Sequence, residues 1–221
     1  MRTLARRTVM VALTASLLAA CNQAGAAGGG GAKANQASEM SMGNAKAKVT
    51  MVEYASVTCS HCARFNQDVF PAFKKKYVDT GRVRYVFREF LTPPEQIAAA
   101  GVLVARCAGP AKYFNVLDSL FRTQETLFQT QDARAWLFNT AKSAGLSEAQ
   151  AKTCIEDEGA LKALNDRVQG AINKDKISGT PTFLFNGKKF DGEKVAGQQY
   201  NGGELTLAQI DAILQPMLAG K

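Results

Sequence analysis

The run Cys59-Ser60-His61-Cys62 holds the most reactive side chains of the chain. Two thiols with two residues between them can close a small disulfide. The preceding residues, Val49-Thr50-Met51-Val52-Glu53-Tyr54, read as a strand, whereas helical spacing begins after Cys62. Cys59 therefore falls at a helix start, where unpaired N–H groups and the positive end of the helix dipole favour a thiolate over a thiol. His61 is expected to add a hydrogen-bond donor, and a positive charge when protonated, lowering the Cys59 pKa below the free value of about 8.5. A stabilised thiolate is a stabilised reduced form, which makes the disulfide a strong oxidant. Other uses of the pair stay open. It could be a structural disulfide, or with Met40, Met42 or Met51 it could hold copper(I). Zinc is disfavoured, because a tetrahedral site wants four ligands and the chain offers one histidine and no second CxxC. The same single histidine, His61, limits any Ser/His/Asp triad.

The elements that must carry this motif can be read from periodicity. Phe65, Val69, Phe73 and Tyr77 recur every four residues, and Pro71 inside that pattern should kink or divide the helix. A second β run at 83–90 follows the Thr80-Gly81 turn. Helical spacing then occupies 95–107, 112–122, 132–143 and 147–157, with Asp132 as an N-cap and Ser147 with Gln150 as a capping box. Leu161, Leu164, Val168 and Ile172 continue helically. Ser178-Gly179-Thr180-Pro181-Thr182 leads into a β run at 182–185, a hairpin turn at Asn186-Gly187, and a returning run at 188–190. An amphipathic helix at 207–218 ends the pattern. The architecture is α/β: βαβ, a helical insertion, then αββα.

Taken together, Val52-Glu53-Tyr54-Ala55-Ser56, Cys59-Ser60-His61-Cys62, Phe87-Arg88-Glu89-Phe90 and Thr180-Pro181-Thr182, with helices inserted between, resemble the thioredoxin superfamily. Within it the resemblance is to the DsbA-type bacterial thiol-disulfide oxidoreductases, over residues 49–218. It implies a thioredoxin fold built from 49–94 and 166–221, with an inserted helical domain at 95–165. It implies that Pro181 is a cis proline packed against the CxxC site. Thr180 and Pro181 then line the substrate groove, the Thr180 backbone pairing with an extended peptide. It further implies that Glu53 is the buried acid assisting proton movement at Cys62. Cys59, Cys62 and His61 form the redox centre, no cofactor or metal is called for, and reduced exported proteins are the substrates. Reoxidation would fall to a DsbB-like quinone-linked membrane protein. Two departures bear on the potential: Ser60 stands where proline is common, and Asn66 where some members carry a second acid. A disulfide reductase or isomerase of the cell envelope is therefore the alternative reading.

Residues 1–20 have a basic start, an apolar core and a small-residue end, the pattern of a secretory signal peptide. Leu18-Ala19-Ala20-Cys21 resembles a lipobox, which would lipidate Cys21 and anchor the chain in the periplasm or cell envelope. Residues 21–48, rich in Gly and Ala, are expected to be a flexible tether of roughly 30 Å. This leaves no dimerisation segment, so a monomer is expected. An exported protein meets an oxidising compartment, and Cys107 and Cys154 read as a structural disulfide, with two free thiols or a second redox pair as alternatives. The net charge of +8 falls to +5 without Arg2, Arg6 and Arg7, and no aromatic-interleaved basic stretch points to nucleic acid.

Overall fold

The computed structural model describes residues 39–190, 194–195, 198–200 and 203–220. The leader, Cys21 and the tether up to residue 38 lie outside them. At the centre is a five-stranded sheet. In chain order its strands are β1 (Met40–Met42), β2 (Val49–Ala55), β3 (Val83–Glu89), β4 (Thr182–Phe185) and β5 (Lys188–Lys189). In space the order is β1-β3-β2-β4-β5, with β2 and β3 parallel and every other pairing antiparallel.

Between β2 and β3 the chain is helical from Ser60 to Val78. It comprises α1 (Ser60–Arg64), a π-helical turn (Phe65–Val69), α2 (Phe70–Phe73) and a second π turn (Lys74–Val78). Pro71 explains the first interruption. It cannot donate a backbone hydrogen bond and crowds the preceding turn, so the ladder widens just before it and the Phe70 N–H reaches back to the Phe65 carbonyl. Six helices follow β3: α3 (Glu95–Cys107), α4 (Pro110–Arg122), α5 (Gln124–Thr130), α6 (Ala133–Ser143), α7 (Glu148–Ile155) and α8 (Glu158–Asn173). The Asp132 cap and the Ser147–Gln150 capping box are both formed. After β5 come a small hairpin of β6 (Lys194–Val195) and β7 (Gln198–Gln199), then α9 (Leu207–Ala219).

Alternation along the strands divides the core. Met51, Ala55, Tyr85, Phe87 and Phe183 face one cluster with Phe65, Phe73, Ile210 and Leu214, while Val52, Tyr54, Val86 and Leu184 face Ala171 of α8. A third cluster joins Val102 and Leu103 of α3 to Ala160, Leu164 and Val168 of α8.

Two expectations are corrected. The tether does not reach Lys48, because Met40–Met42 forms the edge strand, paired with Tyr85–Phe87, and Met40 is buried at 3% exposure. The Gly/Ala-rich composition masks a three-residue strand that borrows its hydrogen bonds from β3. The division at residue 165 also falls inside α8, whose first half packs on α3 and whose second half packs on the sheet, so one helix belongs to both parts. The helix α5 and the β6–β7 hairpin had no signal in the sequence pattern.

Candidate active site

Cys59 follows β2 and serves as the N-cap of α1, with extended dihedrals that bring the chain out of the strand and into the helix. Its carbonyl accepts from the Ala63 N–H, and its own N–H donates to Ser56 O. Gln124, the first residue of α5, donates its amide to the carbonyls of Val57 at 2.7 Å and Cys59 at 3.1 Å. Nearby, α3 comes so close at Gly101 that an added Cβ would lie 3.0 Å from the Val57 side chain. Thr58 is tied to Thr92 by hydroxyl and carbonyl contacts. The loop before the reactive cysteine is thus held by helices inserted far away in sequence.

Both thiols are free, Cys59 partly exposed and Cys62 buried. Their acidities diverge. The Cys62 thiol donates to the Cys59 sulfur and outweighs the burial that would raise its pKa. Thr180 and the backbone N–H groups of Cys62 and His61 add to the effect, bringing Cys59 down to about 5. Burial, together with the neighbouring Cys59 sulfur, pushes Cys62 well above the ordinary thiol range. The thiol of Cys59 also reaches the Thr180 carbonyl at 3.4 Å, and the Thr180–Pro181 bond is cis.

Glu53 lies two residues short of the end of β2, 3% exposed, and accepts a hydrogen bond from the Tyr85 hydroxyl at 2.5 Å. Burial, with a smaller push from the Cys59 sulfur, raises its pKa to about 8 against the lowering effect of Tyr85. A carboxyl in this state carries a proton at neutral pH and can release it when a stronger base forms beside it.

His61 is placed differently from the expectation. Its ring does not supply the donor to Cys59; only its backbone N–H does. The imidazole is turned to solvent, its Nδ1 lying 2.6 Å from Glu204 Oε1 and 2.7 Å from Arg64 Nη2. Asn66 follows Phe65 in the first π turn. Cys107 and Cys154 are joined, with Cα atoms 6.1 Å apart, linking the end of α3 to α7. The sequence reading missed Gln124, Tyr85 and Glu204, none of which lies in a local motif. No group of three or more His, Cys, Asp or Glu suited to a metal occurs among the described residues.

A cysteine pair at a helix start, beside a cis proline on a mixed sheet, defines a thioredoxin-type redox site. The chain belongs to the thioredoxin family, whose pattern it matches over residues 35–199. Its relatives include a Rickettsia typhi protein named provisionally as a protein-disulfide oxidoreductase, 34% identical over 67% of this chain and 55% of that protein. Disulfide bond formation protein D of Bacillus subtilis is 26% identical over 66% of this chain and 67% of that one. The chain thus spans about half the length of the Rickettsia relatives it matches. Among solved structures, Wolbachia pipientis alpha-DsbA1 superposes with a TM-score of 0.70 at 26% identity, covering 82% of this chain and 92% of that one. Oxidised BdbD from Bacillus subtilis shares the fold with a TM-score of 0.60 at 22% identity, over 82% of this chain and 94% of that one.

Proposed function

We propose that this protein is a thiol-disulfide oxidoreductase that gives its Cys59–Cys62 disulfide to exported proteins. The observation that carries the reading is the asymmetry of the pair: a partly exposed sulfur with a pKa of about 5 beside a buried one held far higher. A client thiolate attacks Cys59 Sγ, the Cys59–Cys62 bond breaks, and the leaving Cys62 sulfur takes a proton. Glu53, protonated and buried beside the pair, is the donor we assign to that step. A second client thiolate attacks the same client sulfur bound to Cys59, closing the client disulfide and releasing Cys59 as a thiolate. Two electrons pass to the protein; Cys62 keeps one proton and one is lost to solvent.

Thr180 and Pro181 lie beside Cys59 and are assigned to hold the client backbone, the carbonyl of Thr180 being close to the reacting sulfur. The disulfide Cys107–Cys154 is assigned a structural role. Reoxidation falls to a DsbB-like membrane protein, a partner that the family resemblance supports. Residues 1–20 are assigned as the export leader and Cys21 as the lipid attachment point of a monomeric, envelope-anchored protein. The low Cys59 pKa favours donation over the reductase or isomerase alternative, since it stabilises the reduced form. Oxidation of a reduced, unfolded client by stoichiometric oxidised protein tests the mechanism. Cys59→Ser is expected to be inert, and retained oxidation in that variant would contradict it.

A further inference from the structure

The loop ahead of α9 reaches across to the redox helix at one point. Glu204 Oε1 lies 2.6 Å from His61 Nδ1 and accepts from Arg64 Nε at 2.9 Å. Arg64 Nη2 lies 2.7 Å from the same ring nitrogen. Nδ1 can donate to the carboxylate or accept from the guanidinium, and in either state it is occupied.

The segment that presents Glu204 is fixed on both sides. The Tyr200 hydroxyl donates to the Gly203 carbonyl at 2.8 Å, Leu205 is fully buried, and Thr206 opens a capping box with Gln209. Gly203 has φ of +87°, a backbone conformation that favours glycine. An added Cβ there would lie 3.9 Å from His61 Nδ1. The contact is therefore made by an anchored segment 143 residues away in sequence from His61.

The consequence concerns charge beside a thiolate. A cationic group near Cys59 stabilises the reduced form and strengthens the disulfide as an oxidant. Glu204 acts against this in two ways. It neutralises Arg64 on the last turn of α1, and it ties the imidazole down by Nδ1, so that His61 reaches Cys59 by its backbone N–H and not by its ring. We propose that Glu204 is a positioning residue that holds His61 and Arg64 away from the Cys59 sulfur and so tempers the oxidising power of the pair. This rests on the reading of Cys59 and Cys62 as the redox centre.

The test is equilibration of the full-length protein with glutathione, together with titration of the Cys59 thiolate by its ultraviolet absorbance. Glu204→Gln is expected to lower the equilibrium constant for forming the protein disulfide by about three- to tenfold, and to move the thiolate midpoint to lower pH. Glu204→Asp, which keeps the charge, stays within about twofold of the parent. In a His61→Ser/Arg64→Ala background the effect of Glu204→Gln shrinks to less than about twofold, because both groups through which it acts are gone. An unchanged constant and midpoint in Glu204→Gln would overturn the proposal, as would a full-sized shift in the His61→Ser/Arg64→Ala background. Failure of the underlying reading is separate: the parent itself would then not exchange disulfides with glutathione.

Discussion

Cys59 and Cys62 occupy the same turn of chain and yet differ widely in acidity, and the difference comes from hydrogen bonds and burial around each sulfur. With Cys59 already a thiolate and Cys62 protonated, reduction of the pair takes up two electrons and one proton. Its potential should therefore fall by about 30 mV per pH unit near neutrality, where a two-proton couple would fall by about 59 mV. Measurement of the potential against pH decides between them. Because the folded pKa of Cys59 is depressed, its thiolate stabilises the reduced fold above the ordinary thiol pKa, and that contribution is lost as pH falls through about 5. Glu53 has the opposite sign. Its raised pKa keeps native Glu53 protonated while the unfolded chain ionises, so stability drops as pH rises from the ordinary carboxyl value to about 8. Glu53→Gln should accordingly be more stable than the parent near neutral pH, by about 3 kcal/mol, while its client oxidation slows. Denaturant unfolding at several pH values checks the first part and single-turnover kinetics the second.

At the scale of elements, the redox loop depends on the inserted helices. Gln124 is 4% exposed and satisfies two carbonyls on either side of Thr58, so Gln124→Ala leaves both without that partner. A loss of about 1–3 kcal/mol is expected by denaturant unfolding, with slower client oxidation. The disulfide linking α3 to α7 spans 47 residues, and a Cys107→Ala/Cys154→Ala variant should lose roughly 4 kcal/mol in the chain-entropy account. These elements were unequally legible. Helix α3 and the capped starts of α6 and α7 announce themselves by spacing and by Asp132 and Ser147, because local chemistry sets them. Helix α5 is seven residues long and is separated from α4 by Thr123 alone, so no Gly, Pro or Asn marks the break between the two. Strand β1 has no β-branched residue and exists through its pairing with β3. The CxxC motif and the Thr-Pro pair were legible for the same local reason. Tyr85, Gln124 and Glu204 were not, since each reaches the site from another element.

Across the whole molecule, one buried charge cluster locks the sheet to the inserted helices. Glu89 at the end of β3 is 2% exposed and pairs with Arg106 of α3 at 2.5 Å and Arg167 of α8 at 3.1 Å, with the Tyr113 hydroxyl of α4 at 3.3 Å. Removing the carboxylate takes the close anionic partner away from Arg106, itself 1% exposed, in the interior. Glu89→Ala should therefore cost about 3–5 kcal/mol, read by thermal or denaturant unfolding. The redox site lies at the same junction, between a β2 strand end, the α1 start, the Thr180–Pro181 turn and the inserted helices. On the proposed function, this arrangement makes the Cys59–Cys62 disulfide a donor. Its reduction potential, from equilibration with glutathione, tests that most directly. A value nearer the roughly −120 mV of DsbA than the roughly −270 mV of thioredoxin is expected, whereas a thioredoxin-like value would contradict donation and make the protein a reductase.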